Sequence, residues 1–182
     1  MKYNTFYKNY SKSISDLLSS IDTNLIDQSV ELIKKKIKTN NTTYIAGNGG
    51  SASIASHVSV DFVKVAKVKS STFNNSNLIT CFANDYGYEN WVKEAIKAYC
   101  LVNDLVILIS SSGTSPNIIN AAKYCKDTKI DLITLSGFNK GNALSKLGKV
   151  NFHVDSKNYN HIEITHFIIL LSIVDIFANN FL

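Results

Sequence analysis

Apolar residues recur at helical spacing between Tyr7 and about Lys38: Ile14, Leu17, Leu18 and Ile21, then Val30, Ile33 and Ile37. Asp22, Thr23 and Asn24 interrupt this run with side chains that cap helices, so the pattern predicts two N-terminal helices. Beyond residue 42 the texture alternates. Residues 42–46 read as a short strand ending in Gly47-Asn48-Gly49-Gly50-Ser51, and a helix follows to about Lys67. A weaker strand is expected near residues 78–81, and residues 89–99 read as helix. Residues 105–109, Leu-Val-Ile-Leu-Ile, form the clearest buried strand and run straight into Ser110-Ser111-Ser112-Gly113-Thr114-Ser115-Pro116. Pro116 suits the first turn of a helix, which the pattern carries to about Cys125. Residues 131–135 and 150–154 are further strands around a short helix, and a last helix runs from about Tyr159 to Ala178.

Strands alternating with helices predict a parallel sheet covered on both faces, an α/β three-layer sandwich of flavodoxin-like type with N-terminal helices and a long C-terminal one. The last helix is apolar nearly all round. It therefore calls for burial against something larger than one domain, most simply another subunit. Its greasiest stretch, residues 167–178, spans twelve positions and is broken by Ser172 and Asp175, too short to cross a bilayer.

Composition narrows the partners. The 182 residues fit one domain, and 45% apolar content is enough for a sizeable core. All nineteen basic residues are Lys, so no Arg fork exists to clasp a phosphate or a guanine. A net charge of +5 spread along the chain describes lysine-rich solvated faces, including Lys34-Lys35-Lys36, rather than a nucleic-acid surface. Cys81, Cys100 and Cys125 form no CxxC motif and are odd in number, which points to a reducing cytoplasm. The polar N-terminus has no apolar run that could act as a signal peptide.

In open parallel sheets, ligands bind beyond the carboxyl ends of the strands. Two strand-to-helix turns lie there. The glycine turn 47–51 lets backbone approach a ligand, and Ser110 to Ser115 offers hydroxyls at a second helix N-terminus. Together they can bind a phosphate without a cationic side chain. The spacing Gly47-x-Gly49-x-x-Ala52 also fits a loose dinucleotide fingerprint. Asp61, however, comes only fourteen residues on and within the helix, and residues 73–77 hold no acid, which argues against a nicotinamide cofactor. His57 and Asp61 stand four apart on one helix, and Glu163 and His166 three apart on another. These pairs read either as surface pairings or as a joint metal or acid–base site. His153 and His161 receive no role.

The segments GNGGSASIASH (47–57), ANDYGYEN (83–90) and SSSGTSPN (110–117) resemble the sugar isomerase, or SIS, domain, and more closely its phosphoheptose isomerase branch. The resemblance runs from the N-terminal helices to the C-terminal one. It implies one SIS domain over residues 1–182, with 1–40 as a helical extension packing in a homotetramer whose sites lie between subunits. It implies interconversion of sedoheptulose 7-phosphate and glycero-manno-heptose 7-phosphate through an enediol. By position, Asn48, Gly49, Gly50, Ser51, Asn84 and Asp85 would contact the sugar, and Ser110, Ser111, Ser112 and Ser115 would hold its phosphate. His57, Asp61 and Glu163 fall on zinc-ligand positions, with Asp61 also the base; Glu163 would also touch substrate.

One position departs from the family. Eight residues beyond Glu163 the family carries a further His, a zinc ligand and proposed general acid, and here that residue is Leu171. Leucine can neither ligate zinc nor move a proton. The zinc site is therefore one ligand short, and His166, one turn away, is the residue placed to substitute as acid. Three functions remain open: an active phosphoheptose isomerase, an isomerase of another phosphosugar, and a non-catalytic phosphosugar-binding protein.

Overall fold

The computed structural model describes residues 2–179. Five parallel strands form one sheet in the order β2-β1-β3-β4-β5, with β1 (Thr43–Gly47), β2 (Ser70–Thr72), β3 (Leu105–Ser110), β4 (Asp131–Ser136) and β5 (Val150–His153). Along β3 the side chains alternate between the two faces, as the pleat requires. Leu105, Ile107 and Ile109 pack with α2 (Thr23–Lys38), α3 (Gly50–Lys64) and α7 (Tyr159–Ala178). Val106 and Leu108 pack with α5 (Trp91–Tyr99) and α6 (Pro116–Thr128). Every residue of β3 is buried, which explains why its run is continuously apolar rather than alternating. The three-layer expectation is met.

The element bounds follow local chemistry. Asp22 caps α2 by accepting from the Asn24 backbone N–H, so the interruption seen in sequence is a helix start. The expected strand at residues 78–81 is instead part of α4 (Ser76–Tyr86). Asn75 caps that helix, accepting from the N–H groups of Asn77 and Leu78, and Leu78, Ile79, Phe82 and Ala83 then share a helical face toward the core. The second strand is the polar edge segment Ser70-Ser71-Thr72, which carries no hydrophobic signal. The short helix before β5 is one 3-10 turn, Leu144–Lys146.

The extension at 1–40 divides in two. In α2, Val30, Leu32 and Ile33 are buried in the chain's own core. In α1 (Lys2–Ser19), by contrast, Tyr3, Phe6 and Tyr7 are exposed. Helix α7 is 20 residues long and apolar enough to pass for a membrane span on length and composition. It lies instead against the sheet, with Ile162, Ile169, Leu170, Ile173, Val174 and Phe177 buried; its exposed large hydrophobic residues are Tyr159 at its start, Ile164 and Ile168. Most of its apolar circumference is thus satisfied within one chain.

Candidate functional site

The strand order reverses between β1 and β3, because the chain leaves β1 toward β2 and returns on the other side as β3. The loops after these two strands diverge there, and that divergence opens a crevice at the carboxyl ends. A small cleft of about 130 Å³ lies at this point, lined by Asn48, Ser51, Ile109, Ser110, Ser111, Ser112, Ser115, Tyr159 and Glu163. Among the described residues, no cationic side chain lines it. The N-termini of α3 and α6 supply the positive end instead, through N–H groups that have no partner within their helices.

Backbone shape at both turns is set by close neighbours. Gly113 has φ +65°, and an added Cβ would lie 2.1 Å from Asn142 Oδ1. Asn142 is itself buried, donating to Ser136 Oγ, to Gly137 O and to Asn139 O, so the floor under the serine loop is rigid. Gly50 opens α3 where the Glu163 carboxylate presses in, and a Cβ there would lie 2.1 Å from Glu163 Oε2. That contact explains Gly50, while Gly49 before it sits at φ +54°, where a side chain would be strained.

A reciprocal amide pair joins the two turns. Asn48 Nδ2 donates to Asn117 Oδ1 at 2.9 Å, and Asn117 Nδ2 donates back to Asn48 Oδ1 at 2.8 Å. Tyr88 Oη adds a third bond to Asn48 Oδ1 at 3.3 Å. Asn48 therefore braces the cleft as much as it faces it. Asn117 and Tyr88 both lie in the segments that resemble the family, yet sequence reasoning gave them no role. A buried Asn directly after a helix-opening Pro was the available signal.

The serines divide into two groups. Ser110 Oγ donates to Ser115 Oγ at 3.1 Å, and Ser112 Oγ accepts from the Thr114 N–H at 3.3 Å, so these three surround the α6 end of the cleft. Ser111 Oγ instead donates to Glu163 Oε1 at 3.4 Å. It holds the carboxylate rather than standing free for a phosphate. Asn84 and Asp85 are exposed on α4, bonded to each other at 2.9 Å, and do not line this cleft.

The expected acid–base and metal residues do not converge. His57 Nε2 and Asp61 Oδ2 pair at 3.0 Å, partly exposed on α3. The Phe167 ring meets His57 edge-on at 5.1 Å between centroids. Leu171 packs against the core. Glu163, Phe167 and Leu171 follow one another at four-residue spacing, so two of the three positions of α7 facing this region are hydrocarbon. Among the described residues, no three His, Cys, Asp or Glu side chains group so as to hold a metal ion. Zinc sites take at least three protein ligands, so the set His57, Asp61 and Glu163 does not fit zinc within one chain.

His166 corrects a second expectation. It is fully buried, with Nε2 bonded to Ser136 O at 3.1 Å, and it shares its helical stripe with Ile162, Ile169 and Ile173. Burial pushes its imidazole down to about 4, against the opposing help of the Ser136 carbonyl. It ties α7 to the end of β4 and does not open onto the cleft. Three residues beyond Glu163 on a 3.6-residue helix is a rotation toward the core, and that rotation decides its place.

A sequence profile of the SIS domain matches residues 6–137. Phosphoheptose isomerase 2 of Campylobacter jejuni is 36% identical over 160 residues, 81% of this chain and 78% of the relative. A phosphoheptose isomerase of Aneurinibacillus thermoaerophilus is 32% identical over 86% of this chain and 84% of the relative. Among solved structures, phosphoheptose isomerase from Neisseria gonorrhoeae superposes with a TM-score of 0.88 at 21% identity, covering 98% of this chain and all of that one. The Vibrio vulnificus NanR protein, complexed with ManNAc-6P, superposes at 0.70 with 17% identity over 99% of this chain and 61% of its own. With the SIS profile matched over residues 6–137, this level of identity and the same fold, the chain belongs to the SIS-domain family, in its phosphoheptose isomerase branch.

Proposed function

We propose that this protein interconverts sedoheptulose 7-phosphate and glycero-manno-heptose 7-phosphate through an enediol, feeding heptose to surface polysaccharide. The observation that carries the reading is the cation-free cleft between two helix N-termini, braced by the Asn48–Asn117 pair. Ser110, Ser112 and Ser115 with the α6 terminus suit the phosphate, and the sugar extends toward the α3 terminus. The relatives at 36% and 32% identity carry the name of this activity. Incubation of the purified protein with sedoheptulose 7-phosphate tests it, with appearance of the aldose as the expected outcome.

Leu171 favours a second reading, a phosphosugar binder without turnover, and NanR shows that this fold can hold a sugar phosphate in a protein not named as an isomerase. Tight binding of the heptose phosphate with no turnover would select it. The same cleft could serve another phosphosugar, which a panel of substrates separates.

The working unit in this reading is a homotetramer in the cytoplasm. Val60 and Val63 on α3, Ile164 and Ile168 on α7, and the aromatic face of α1 leave apolar surface for a second copy. Cys81, Cys100 and Cys125 are free, and burial pushes the Cys125 thiol up to about 12, which keeps that thiol unreactive. Light scattering should give a mass well above the 20.2 kDa of one chain.

A further inference from the structure

We infer that the proton in this reaction is carried by Glu163, without a transition metal between α3 and α7. The inference rests on the isomerase reading above and assigns its chemistry. Among the described residues lining the cleft, Glu163 is the only carboxylate. It is also held in place from two sides. Ser111 Oγ donates to Oε1 at 3.4 Å, and the α-carbon of Gly50 leaves room for Oε2 where any Cβ would collide. A carboxylate fixed by a hydroxyl and seated at a helix N-terminus is a built feature of this cleft, and the glycine turn is shaped around it.

The other acids are elsewhere. Asp61 lies ten residues beyond Ser51 on α3, which places it about 15 Å along the helix from the cleft at 1.5 Å per residue. It is already paired with His57 at 3.0 Å. Where the family carries a further donor on α7, this chain presents Leu171, with the Phe167 ring one turn before it beside His57. Phe167 occupies one side of the His57 imidazole. The donor chemistry for zinc is therefore missing at the position that would complete it, while a positioned base is present where the sugar binds.

The step balances without oxidant or metal. The Glu163 carboxylate takes a proton from C1 of the ketose. The C–H electron pair forms the C1–C2 double bond, and the carbonyl pair moves to O2, which takes a proton from solvent. In the second half, O1–H gives its proton to solvent and the O1–C1 double bond forms. The C1–C2 pair then takes the proton back from Glu163 at C2. One residue on one face suffices, because both carbons present their proton to the same side of a cis-enediol.

The test compares intact wild type with Glu163→Gln on sedoheptulose 7-phosphate, with zinc measured by mass spectrometry. Wild type should turn over the sugar with zinc below about 0.1 equivalents per chain and with no loss on chelator treatment. Glu163→Gln should lose turnover and solvent-deuterium exchange by about 100-fold or more, as loss of a general base does. Its calorimetric affinity for the sugar should stay within about threefold, which a merely structural lesion would not permit. Gly50→Ala keeps the carboxylate but displaces it, and should show the same loss of turnover; it decides the matter if the glutamine variant does not fold. Stoichiometric zinc whose removal abolishes turnover, or a folded Glu163→Gln with a tenth or more of wild-type turnover, overturns the inference while leaving the isomerase reading standing. Wild type inactive on this sugar overturns the reading itself.

Discussion

The two halves of the α3 surface show opposite degrees of completion. At its N-terminus, α3 meets α6, the serine loop and Glu163 in a cleft whose groups bond to one another within a single chain. Two to three turns further along, the same helix presents His57 and Asp61 to Phe167 and to a stripe ending in Leu171. The first region is polar, braced and glycine-fitted. The second pairs two ionisable side chains with hydrocarbon. The contrast teaches that one helix can build a polar cleft at its N-terminus and, further along, leave an ionisable pair bonded only to itself beside hydrocarbon.

The comparison can be broken first through His166, which sequence spacing places in the site and the structure places in the core. Its imidazole is neutral in the folded state down to about 4 but titrates near 6.5 when unfolded. Between those values the unfolded chain binds the extra proton, so stability rises with pH and is lost as pH falls through that window. The loss should approach about 3 kcal/mol, at roughly 1.4 kcal/mol for each pH step between the two values. Denaturant midpoints at pH 7 and pH 4.5 measure it, and His166→Gln should flatten the change. Asp131 acts at a more acid range. Burial alone would push it up, but Lys149 and Lys36 hold it below the usual carboxylate range, so its contribution is present above that range and fades only as pH falls through the lowered value.

The complete half breaks next. Ser112→Ala combined with Ser115→Ala should weaken heptose-phosphate binding by about 2 kcal/mol, at 1 or slightly more per lost hydrogen bond. Calorimetry reads this, and the melting temperature should barely move because neither hydroxyl supports the core. In the dissolved half, Leu171→Ala should cost about 1–2 kcal/mol of stability through lost packing while turnover stays within about twofold. Asp61→Asn is the mildest. The pair with His57 is partly exposed, so its loss should cost under about 0.5 kcal/mol and leave turnover within a few fold. Abolished turnover there would mean that a neighbouring subunit carries Asp61 into a cleft, and the contrast between the halves would fail.

Legibility in the sequence followed how directly a residue's role depends on local pattern. The strand 105–109, the two strand-to-helix turns and Pro116 at the helix start were readable because period, glycines and hydroxyls act within a few residues. The strand at Ser70–Thr72 was not, since a polar edge strand carries no hydrophobic period and is fixed by pairing to β1. The run 78–81 misled because its β-prone residues are overridden by the Asn75 cap and by packing on α5. His166 misled in a different way. Chemistry suggested a role, but its place in the stripe of Ile162, Ile169 and Ile173 already marked it as core. Glu163 was legible as a site residue, but its contact with Gly50 was not, because it joins residues that are far apart in the chain.

The most direct measurement is nuclear magnetic resonance of sedoheptulose 7-phosphate incubated with the wild-type protein in deuterium oxide. The account predicts conversion to the aldose with deuterium entering at the carbon beside the carbonyl, as a proton-carrying base exchanges with solvent during the enediol's lifetime. A protein that binds the sugar phosphate yet leaves both its carbon-bound protons and its ketose form untouched would contradict it.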